Sequence, residues 1–178
     1  MDPRFRFCPY CARSLVWRSL EGRSRLACES CQEVFYGNAK PCAGAVITDG
    51  AKVLLSRRQC APYAGYWDIP GGYLEEDEHP VAAVRREVLE ETGLTIEVGP
   101  LIGLYLDRYG PDSPVYTLNI FYEARATGGS PRPACDVAAL EWFDRSTWPV
   151  LQLAFGHTAT VLQDWWAMRE IHRPRPGP

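Results

Sequence analysis

Short apolar runs, several of them rich in β-branched residues, alternate with turn signals along residues 41–172 and predict a β-sheet. Two of these runs, residues 43–48 and 52–56, flank Asp49-Gly50-Ala51, and because Asp-Gly favours a tight hairpin turn we expect the two runs to pair. Pro70-Gly71-Gly72 is predicted to be a loop. The other predicted strands are residues 66–69, 101–107, 115–124 and 139–143.

Two segments place apolar residues at helical spacing. The first is predicted to run from Pro80 to Thr92, because proline suits the first helical position and Gly93 suits the left-handed position after the last one. Asp77 and Glu78 precede it, where the helix dipole favours negative charge. The second is predicted over residues 157–171, and the Pro-rich residues 173–178 are expected to be disordered. The apolar stripes are Val81, Val84 and Val88 in the first helix and Val161, Leu162, Trp165 and Met168 in the second.

Four of the seven cysteines form two Cys-x-x-Cys pairs with 16 residues between them: Cys8, Cys11, Cys28 and Cys31. This spacing is typical of a zinc ribbon, because each tight turn brings two thiolates to one side and two turns complete a tetrahedron. A segment of about 40 residues has too small a hydrophobic core to fold alone, so a bound metal is expected to supply the missing free energy of folding. We expect residues 1–40 to hold structural Zn²⁺; two disulfides or a redox pair are the alternatives.

Composition narrows the classes of protein to consider. With 46% hydrophobic and 23% charged residues, the chain has the composition of a globular protein. Its longest apolar runs fall far short of the roughly 18 residues that span a membrane. Residues 1–11 contain two arginines and two prolines without a following apolar segment, which does not fit a secretory signal. We therefore expect a cytoplasmic protein with no membrane partner.

The net charge of −3 is unevenly distributed along the chain. Residues 1–42 hold seven basic and four acidic side chains, a local charge of +3, and the rest of the chain carries −6. A total of +3 is too small for a nucleic-acid-binding tract, so nucleic acid is not an expected partner. The acidic residues after position 42 say more about function, because many of their carboxylates fall in one short window of the sequence.

Three glutamates of that window share one face of the first predicted helix. Glu87, Glu90 and Glu91 stand at positions i, i+3 and i+4, so their side chains project as neighbours. Like charges at such spacings repel by a few tenths of a kcal/mol per pair, roughly. Mg²⁺ or Mn²⁺, which prefer oxygen ligands, would remove that repulsion. Arg86 offers a fork that can hold Glu78 or another carboxylate in a bidentate pair.

This window resembles the Nudix box. Gly72 is followed after five residues by Glu78 and after seven more by Arg86-Glu87-Val88-Leu89-Glu90-Glu91-Thr92-Gly93-Leu94, which is similar to the box position for position. Residues upstream and downstream, to about Trp166, also resemble the Nudix hydrolase family, in the form that carries an N-terminal zinc ribbon. The resemblance implies an α+β fold: a Nudix-type mixed β-sheet sandwiched between helices at residues 41–172, preceded by the small ribbon at residues 1–40.

The resemblance also implies residue roles. Glu87 and Glu91 are the expected main ligands of catalytic Mg²⁺ or Mn²⁺. Glu90 is expected to be a further ligand or a base, and the backbone carbonyl of Gly72 to complete the metal shell. Glu78 and Arg86 are expected to orient these ligands. The glutamate that deprotonates water and the number of catalytic metal ions are left open.

The expected reaction is hydrolysis of a nucleoside diphosphate linked to another moiety, with release of a nucleoside monophosphate. The chain resembles FAD and ADP-ribose pyrophosphatases, and more loosely NADH pyrophosphatases, whose Ser-Gln-Pro-Trp-Pro-Phe-Pro segment does not follow Leu94 here. Trp67, Tyr105 and Tyr109 are candidates for stacking on a base or flavin ring. An NADH or NAD pyrophosphatase, and a nucleic-acid-binding or regulatory module with a vestigial box, are the alternatives. Homodimerisation is left open.

Five further residues have structural interpretations. His79 is expected to be a loop or near-cap residue, and His157 is expected to cap the start of the second predicted helix. Cys42, Cys60 and Cys135 show no ligand spacing and are expected to be small core hydrophobes.

Overall fold

The computed structural model describes residues 5–150 and 152–171, so the predicted disordered tail at residues 173–178 lies outside the described residues. A small N-terminal sheet contains β1 (Val16–Leu20), β2 (Arg23–Ala27) and β3 (Val34–Phe35). The larger part of the chain forms a second sheet with two helices, α1 (Pro80–Thr92) and α2 (Gly156–Ile171). Its strands are β4 (Lys40–Asp49), β5 (Lys52–Arg58), β6 (Trp67–Asp68), β7 (Gly71–Tyr73), β8 (Leu94–Arg108), β9 (Tyr116–Gly129) and β10 (Val137–Phe143).

The second sheet is mixed. Its main strands follow the order β10-β5-β4-β9-β8, and the short strands β6 and β7 pair with β5 and β4. β4 and β9 run parallel, whereas the other pairs are antiparallel. A 3-10 helix, Arg145–Val150, follows β10 and precedes α2. Among the described residues neither helix contains a stretch long and apolar enough to cross a membrane.

Alternate residues of the central strands face two separate hydrophobic clusters. Ala43, Ala45 and Ile47 of β4 pack with α1, while Val46, from the same strand, packs with α2. This is the two-residue periodicity of a strand that is covered on both faces. The sheet therefore lies between the two helices, which confirms the predicted fold class, and the N-terminal sheet with its cysteine cluster fits a small zinc ribbon.

The hairpin and both helices form where the sequence predicts them, but several strand predictions are corrected. Pro70-Gly71-Gly72, predicted as a loop, partly belongs to β7, because Gly71 and Gly72 pair with Gly44 and Ala43. The run at 66–69 contributes only two paired residues. β8 begins directly after Gly93, and three register shifts let it continue to Arg108 rather than start at 101. β9 extends to Gly129, beyond the predicted end at 124.

Three cysteines differ from expectation, whereas two histidines lie near the start of a helix, as expected. Cys60 and Cys135 are exposed, and Cys42 is half-buried in the wall of a cavity, so none lies in the hydrophobic core. His79 is the N-cap of α1, accepting a hydrogen bond from the Val81 N–H (3.2 Å). His157 lies inside the first turn of α2, and its backbone N–H is capped from another strand.

Candidate active site and metal centres

Helix α1 is fixed at both ends and along its buried face. Gly93 takes the left-handed conformation (φ 70°) that ends the helix, and its N–H donates to the Leu89 carbonyl (2.9 Å). Ala83, Val84 and Val88 are fully buried against the sheet. Glu87 and Glu91 lie along the edge of this buried face that meets β7, next to Gly72 and Gly71.

Arg86 is the cation that links these glutamates. Its Nε and Nη2 donate to the two oxygens of Glu78 (2.9 and 2.7 Å), and its Nη1 donates to Glu87 (2.7 Å) and to Glu90 (3.4 Å). The bidentate pair with Arg86 lowers the pKa of Glu78. Nη2 also donates to the Tyr73 carbonyl (3.0 Å), so the guanidinium ties α1 to β7. Arg86 therefore orients the cluster and offsets part of its mutual repulsion.

The negative charges of Glu87 and Glu91 are only partly balanced by their hydrogen bonds. Burial raises the pKa of Glu87 even though Arg86 is bonded to it. Burial also raises the pKa of Glu91 well above its ordinary value, although the Gly71 N–H donates to Glu91 Oε2 (3.0 Å). The side chain of Glu90 is half exposed. Two partly desolvated carboxylates side by side are a donor set that suits a hard divalent cation.

Gly72 is the position where the backbone approaches Glu87 most closely. A Cβ placed at Gly72 would lie 2.5–2.6 Å from the carboxylate atoms of Glu87, far inside van der Waals contact. Only glycine therefore lets strand β7 run beside this side chain. The predicted ligands Gly72, Glu87 and Glu91 are thus brought together, and their donor types fit Mg²⁺ or Mn²⁺.

A cavity of about 270 Å³ opens beside these carboxylates. Its walls come from β4, the ends of β5 and β6, β7, α1, the residue that follows β8, the first half of β9, and the start of α2. Besides the predicted residues, its lining includes several that sequence reasoning did not assign to the site: Arg58, Asp68, Asn119, Asp136, Phe155 and His157. These residues lie far apart in the sequence and share no motif, so only the fold brings them together.

Asp136 reaches the cavity because the segment before β10 follows the end of α1. The N–H groups of Arg132 and Ala134 donate to the carbonyls of Thr92 (2.8 Å) and Glu91 (3.2 Å). After burial, the charge of Asp136 is the next cause that raises the pKa of Glu91. The site therefore has an acidic wall that includes a carboxylate from outside the box.

Asp68 is buried in the wall of the cavity. Its Oδ1 accepts hydrogen bonds from the Ile69 N–H and from Thr158 Oγ1 (both 2.9 Å), and Arg58 Nη1 lies 3.7 Å from Oδ2. Burial raises the pKa of Asp68 in spite of these partners. The contact with Thr158 joins β6 to the first turn of α2 and so closes this wall.

Asp107, at the end of β8, holds His157. Asp107 Oδ2 accepts from the His157 backbone N–H (3.1 Å) and lies 3.0 Å from its ring Nδ1. Burial opposes ionisation of Asp107, but hydrogen bonds from the Arg108 N–H and from His157 outweigh it and lower the pKa of Asp107. The imidazole ring, 8% exposed, stacks on Phe155 at 5.4 Å. These contacts fix the orientation of the ring at the cavity wall.

The three aromatic candidates are placed differently. Tyr109 lines the cavity and contacts Tyr73 (5.7 Å) and Phe155 (5.9 Å) through their rings. Trp67 instead packs on Phe143 in the cluster beneath α2. Tyr105 also packs in that cluster and donates its hydroxyl to Asp164 (2.7 Å). Among the three, Tyr109 alone is in a position to contact a ligand in this cavity.

The four paired cysteines form a second candidate metal centre. Their Sγ atoms all lie within 4.8 Å of one another, with 3.9 Å between Cys8 and Cys31 and 3.5 Å between Cys11 and Cys28. Sulfurs bound tetrahedrally to zinc at about 2.3 Å are about 3.8 Å apart. The cluster therefore fits Zn²⁺.

A model of the NUDIX domain family matches residues 39–162, more than two thirds of the chain. An ADP-ribose pyrophosphatase of Methanocaldococcus jannaschii is 36% identical over 118 residues, which are 65% of this chain and 67% of that protein. The NAD-capped RNA hydrolase NudC of Stutzerimonas stutzeri is 29% identical over 174 residues, 96% of this chain and 59% of that protein. A MutT-like protein of Streptomyces ambofaciens is 34% identical over 100 residues, 56% of this chain and 60% of its own length.

A solved structure shares nearly the whole fold. The crystal structure of a NUDIX hydrolase from Nitrosomonas europaea superposes with a TM-score of 0.81 at 27% identity, covering 97% of this chain and 96% of that one. By contrast, the chain spans only about three fifths of the length of the Stutzerimonas and Streptomyces relatives.

Proposed function

The chain belongs to the NUDIX domain family, and from this premise we propose that it is a divalent-metal-dependent hydrolase of a nucleoside diphosphate linked to a second moiety. The products would be a nucleoside monophosphate and a phosphorylated remnant. FAD and ADP-ribose are the proposed substrates, and the M. jannaschii relative carries the name ADP-ribose pyrophosphatase.

The observation that carries this proposal is the pair of desolvated carboxylates at the cavity wall. Burial raises the pKa of Glu87 and of Glu91, and Glu87 lies against Gly72, where a Cβ would clash with its carboxylate. A bound cation would stabilise the ionised form of both carboxylates. Glu87, Glu91, the Gly72 carbonyl and, at the exposed rim, Glu90 would hold Mg²⁺ or Mn²⁺. Bound there, the metal supplies positive charge to the diphosphate oxygens and lowers the pKa of a bound water.

The protein's own groups set the geometry for that chemistry. Arg86 fixes Glu87 and Glu78, and the Gly71 N–H fixes Glu91, so the ligands cannot swing away when the substrate arrives. Positions fixed in advance are what lower the cost of reaching the transition state. His157, held by Asp107, lines the same cavity.

The aromatic side chains of the cavity suit a planar group on the substrate. Tyr109 and Phe155 meet at 5.9 Å with 30° between their rings, and Phe155 in turn stacks on His157. Such faces attract a purine or flavin ring by burial of apolar area and by stacking. We assign this wall to the base or flavin of the substrate, with Tyr109 as the contact that the sequence also indicates.

A substrate panel tests the proposal. FAD, ADP-ribose, NAD, NADH, diadenosine polyphosphates and nucleoside triphosphates are incubated with the full chain in H₂¹⁸O, with Mg²⁺ or with EDTA, and the products are weighed by mass spectrometry. We expect AMP from ADP-ribose or FAD only with Mg²⁺, and ¹⁸O in a single product identifies the phosphorus attacked. Failure to cleave any diphosphate-linked nucleotide with Mg²⁺ or Mn²⁺ would contradict the proposal.

A second candidate substrate is a dinucleotide at the 5′ end of RNA. It is favoured by the Stutzerimonas alignment, which covers 96% of this chain and therefore extends beyond the NUDIX match into the N-terminal sheet. The same assay, run with an RNA that begins with NAD beside free NAD, distinguishes the two. A kcat/KM at least as high for the capped RNA as for ADP-ribose would favour this candidate.

A further inference from the structure

The zinc ribbon carries a row of basic and aromatic side chains on one face of its sheet. Arg18 of β1 lies directly opposite Arg25 of β2, and the guanidinium of Arg25 lies 4.4 Å over the ring of Tyr36. Arg23 shares this face, because residues two apart on a strand point the same way. We call these four residues the basic row.

The basic row is short of negative partners. Like charges directly opposite each other across two strands are destabilising. Arg25 forms an ion pair with Glu21 (3.6 Å), whose side chain is largely exposed, and Arg25 Nε is buried without a hydrogen-bond partner among the described residues. Arg18, Arg23 and Tyr36 are exposed. An anionic ligand with planar groups would satisfy both the charges and the ring.

The basic row also leads towards the cavity. Only three residues separate Tyr36 from Lys40, so the chain between them spans at most about 14 Å. The Lys40 ammonium lies 5.5 Å from the centre of the Tyr73 ring, and Tyr73 lines the cavity beside Tyr109. The chain that leaves the basic row at Tyr36 thus reaches, four residues later, a cation that lies beside the cavity lining.

We propose that the basic row binds single-stranded RNA whose 5′ end, linked through a diphosphate to a nucleoside, occupies the cavity. Arginines that follow a phosphate backbone, with rings on which bases stack, are how single strands are bound without sequence readout. The net charge of +3 in residues 1–42 does not reveal this, since the effect lies in the arrangement of a few side chains. The inference rests on the proposed function for the position of the 5′ end only.

Binding is measured by fluorescence anisotropy of a short single-stranded RNA labelled at its 3′ end, between about 50 and 200 mM salt. The full zinc-loaded chain is compared with R18S/R23S and with R125S/R145S, which removes two exposed arginines from the other domain. We expect R18S/R23S to weaken binding and to reduce the slope of log K against log salt by about 1.4, since each contact with a single strand contributes about 0.7. R125S/R145S should bind like the parent.

Tyr36→Leu provides a second variant that leaves all charges in place. Loss of a stacked base should weaken binding at least ~5-fold with little change in the salt slope. Zinc content and circular dichroism verify that each ribbon variant is folded. Equal RNA binding by the parent, R18S/R23S and Tyr36→Leu would overturn the inference. So would self-association of the parent that R18S/R23S abolishes, because a second copy would then cover this face.

A hydrolysis assay separates this inference from the proposed function. R18S/R23S should lower kcat/KM for RNA that carries a 5′-linked dinucleotide and leave kcat/KM for the free dinucleotide unchanged. An equal loss on both substrates would contradict an RNA-binding role. If the parent cleaved no dinucleotide at all, the proposed function would fail, while the anisotropy data would still decide whether the row binds RNA.

Discussion

At the scale of single residues, Glu91 has the environment expected of a group that acts through a cation. It is the most desolvated of the three glutamates, and its carboxylate accepts a hydrogen bond from the Gly71 backbone N–H. We predict that Glu91→Gln lowers kcat at least ~10²-fold, the scale of removing one electrostatic contact made in the transition state. Steady-state turnover of ADP-ribose or FAD at saturating Mg²⁺ measures this. Glu76→Gln, an exposed change outside the cavity, is the control, and near-normal turnover in Glu91→Gln would remove Glu91 from the mechanism.

Asp68 offers a test of pH dependence. Because its folded-state pKa is raised, the folded protein holds this proton more tightly than the unfolded chain does. The stabilising contribution is therefore complete below the unfolded pKa of about 3.9 and is lost as pH rises towards the folded value. In Asp68→Asn this loss should be absent. We expect the free energy of unfolding, from urea titrations between about pH 4 and 7, to fall less steeply with pH in Asp68→Asn than in the parent. Parallel curves would contradict the prediction.

At the scale of secondary structure, local signals in the sequence predict some elements fully and others only in part. Proline at position 80 and glycine at position 93 mark α1 correctly, because caps depend on adjacent residues. β7 has no such signal, since its two glycines form a strand only through pairing with β4. The same distinction holds for the residues of the candidate site. Helical spacing is enough to predict that the glutamates of the Nudix box are neighbours, whereas Asp136 and His157 reach the cavity only through tertiary packing.

The close approach of strand β7 to helix α1 predicts that Gly72 does not tolerate a larger side chain. In Gly72→Ala the added Cβ would fall 2.5–2.6 Å from the Glu87 carboxylate, so either the strand or the ligand must move. A shift of about 1 Å in a positioned group can reduce the rate ~10²-fold. We expect a fall in kcat of this order and weaker Mg²⁺ dependence in a metal titration.

Gly50→Ala is the matched control for this glycine. Gly50, unlike Gly72, has a positive φ (60°), and a Cβ there meets nothing within 4 Å. It should lose about 1 kcal/mol of stability from the left-handed backbone and keep the parent kcat. Unchanged kcat in Gly72→Ala would show that the close approach of β7 to Glu87 has no catalytic consequence.

The join between β8 and α2 depends on Asp107. In Asp107→Ala the first turn of α2 loses its acceptor for the His157 N–H, at a cost of about 1 kcal/mol. Since the folded pKa of Asp107 is lowered, its contribution is present above the unfolded pKa of about 3.9 and is lost as pH falls through the folded value. Urea unfolding should therefore show a difference from the parent at pH 5 that narrows below about pH 4. Asp112→Ala, an exposed change, should show no difference at either pH.

At the scale of the whole molecule, the chain joins two units with different sources of stability. Both hydrophobic clusters consist of residues from Ala43 onward, so within the described residues the ribbon supplies no member of either. The three ribbon strands pair only with one another. The ribbon would thus depend on its four cysteines and their metal, whereas the larger unit is held by burial on both faces of its sheet.

This separation predicts the result of removing zinc. We expect metal analysis to find one zinc per chain, and Cys8→Ser/Cys11→Ser to abolish it and expose the ribbon to protease. Thermal unfolding of the variant should keep the main transition, because the two clusters are intact. With Mg²⁺ present, hydrolysis of free ADP-ribose or FAD should persist while RNA binding disappears, because the basic row needs a folded ribbon. If the variant lost both hydrolysis and RNA binding, the ribbon would be needed to hold the cavity in shape, and the two units would not be independently stable.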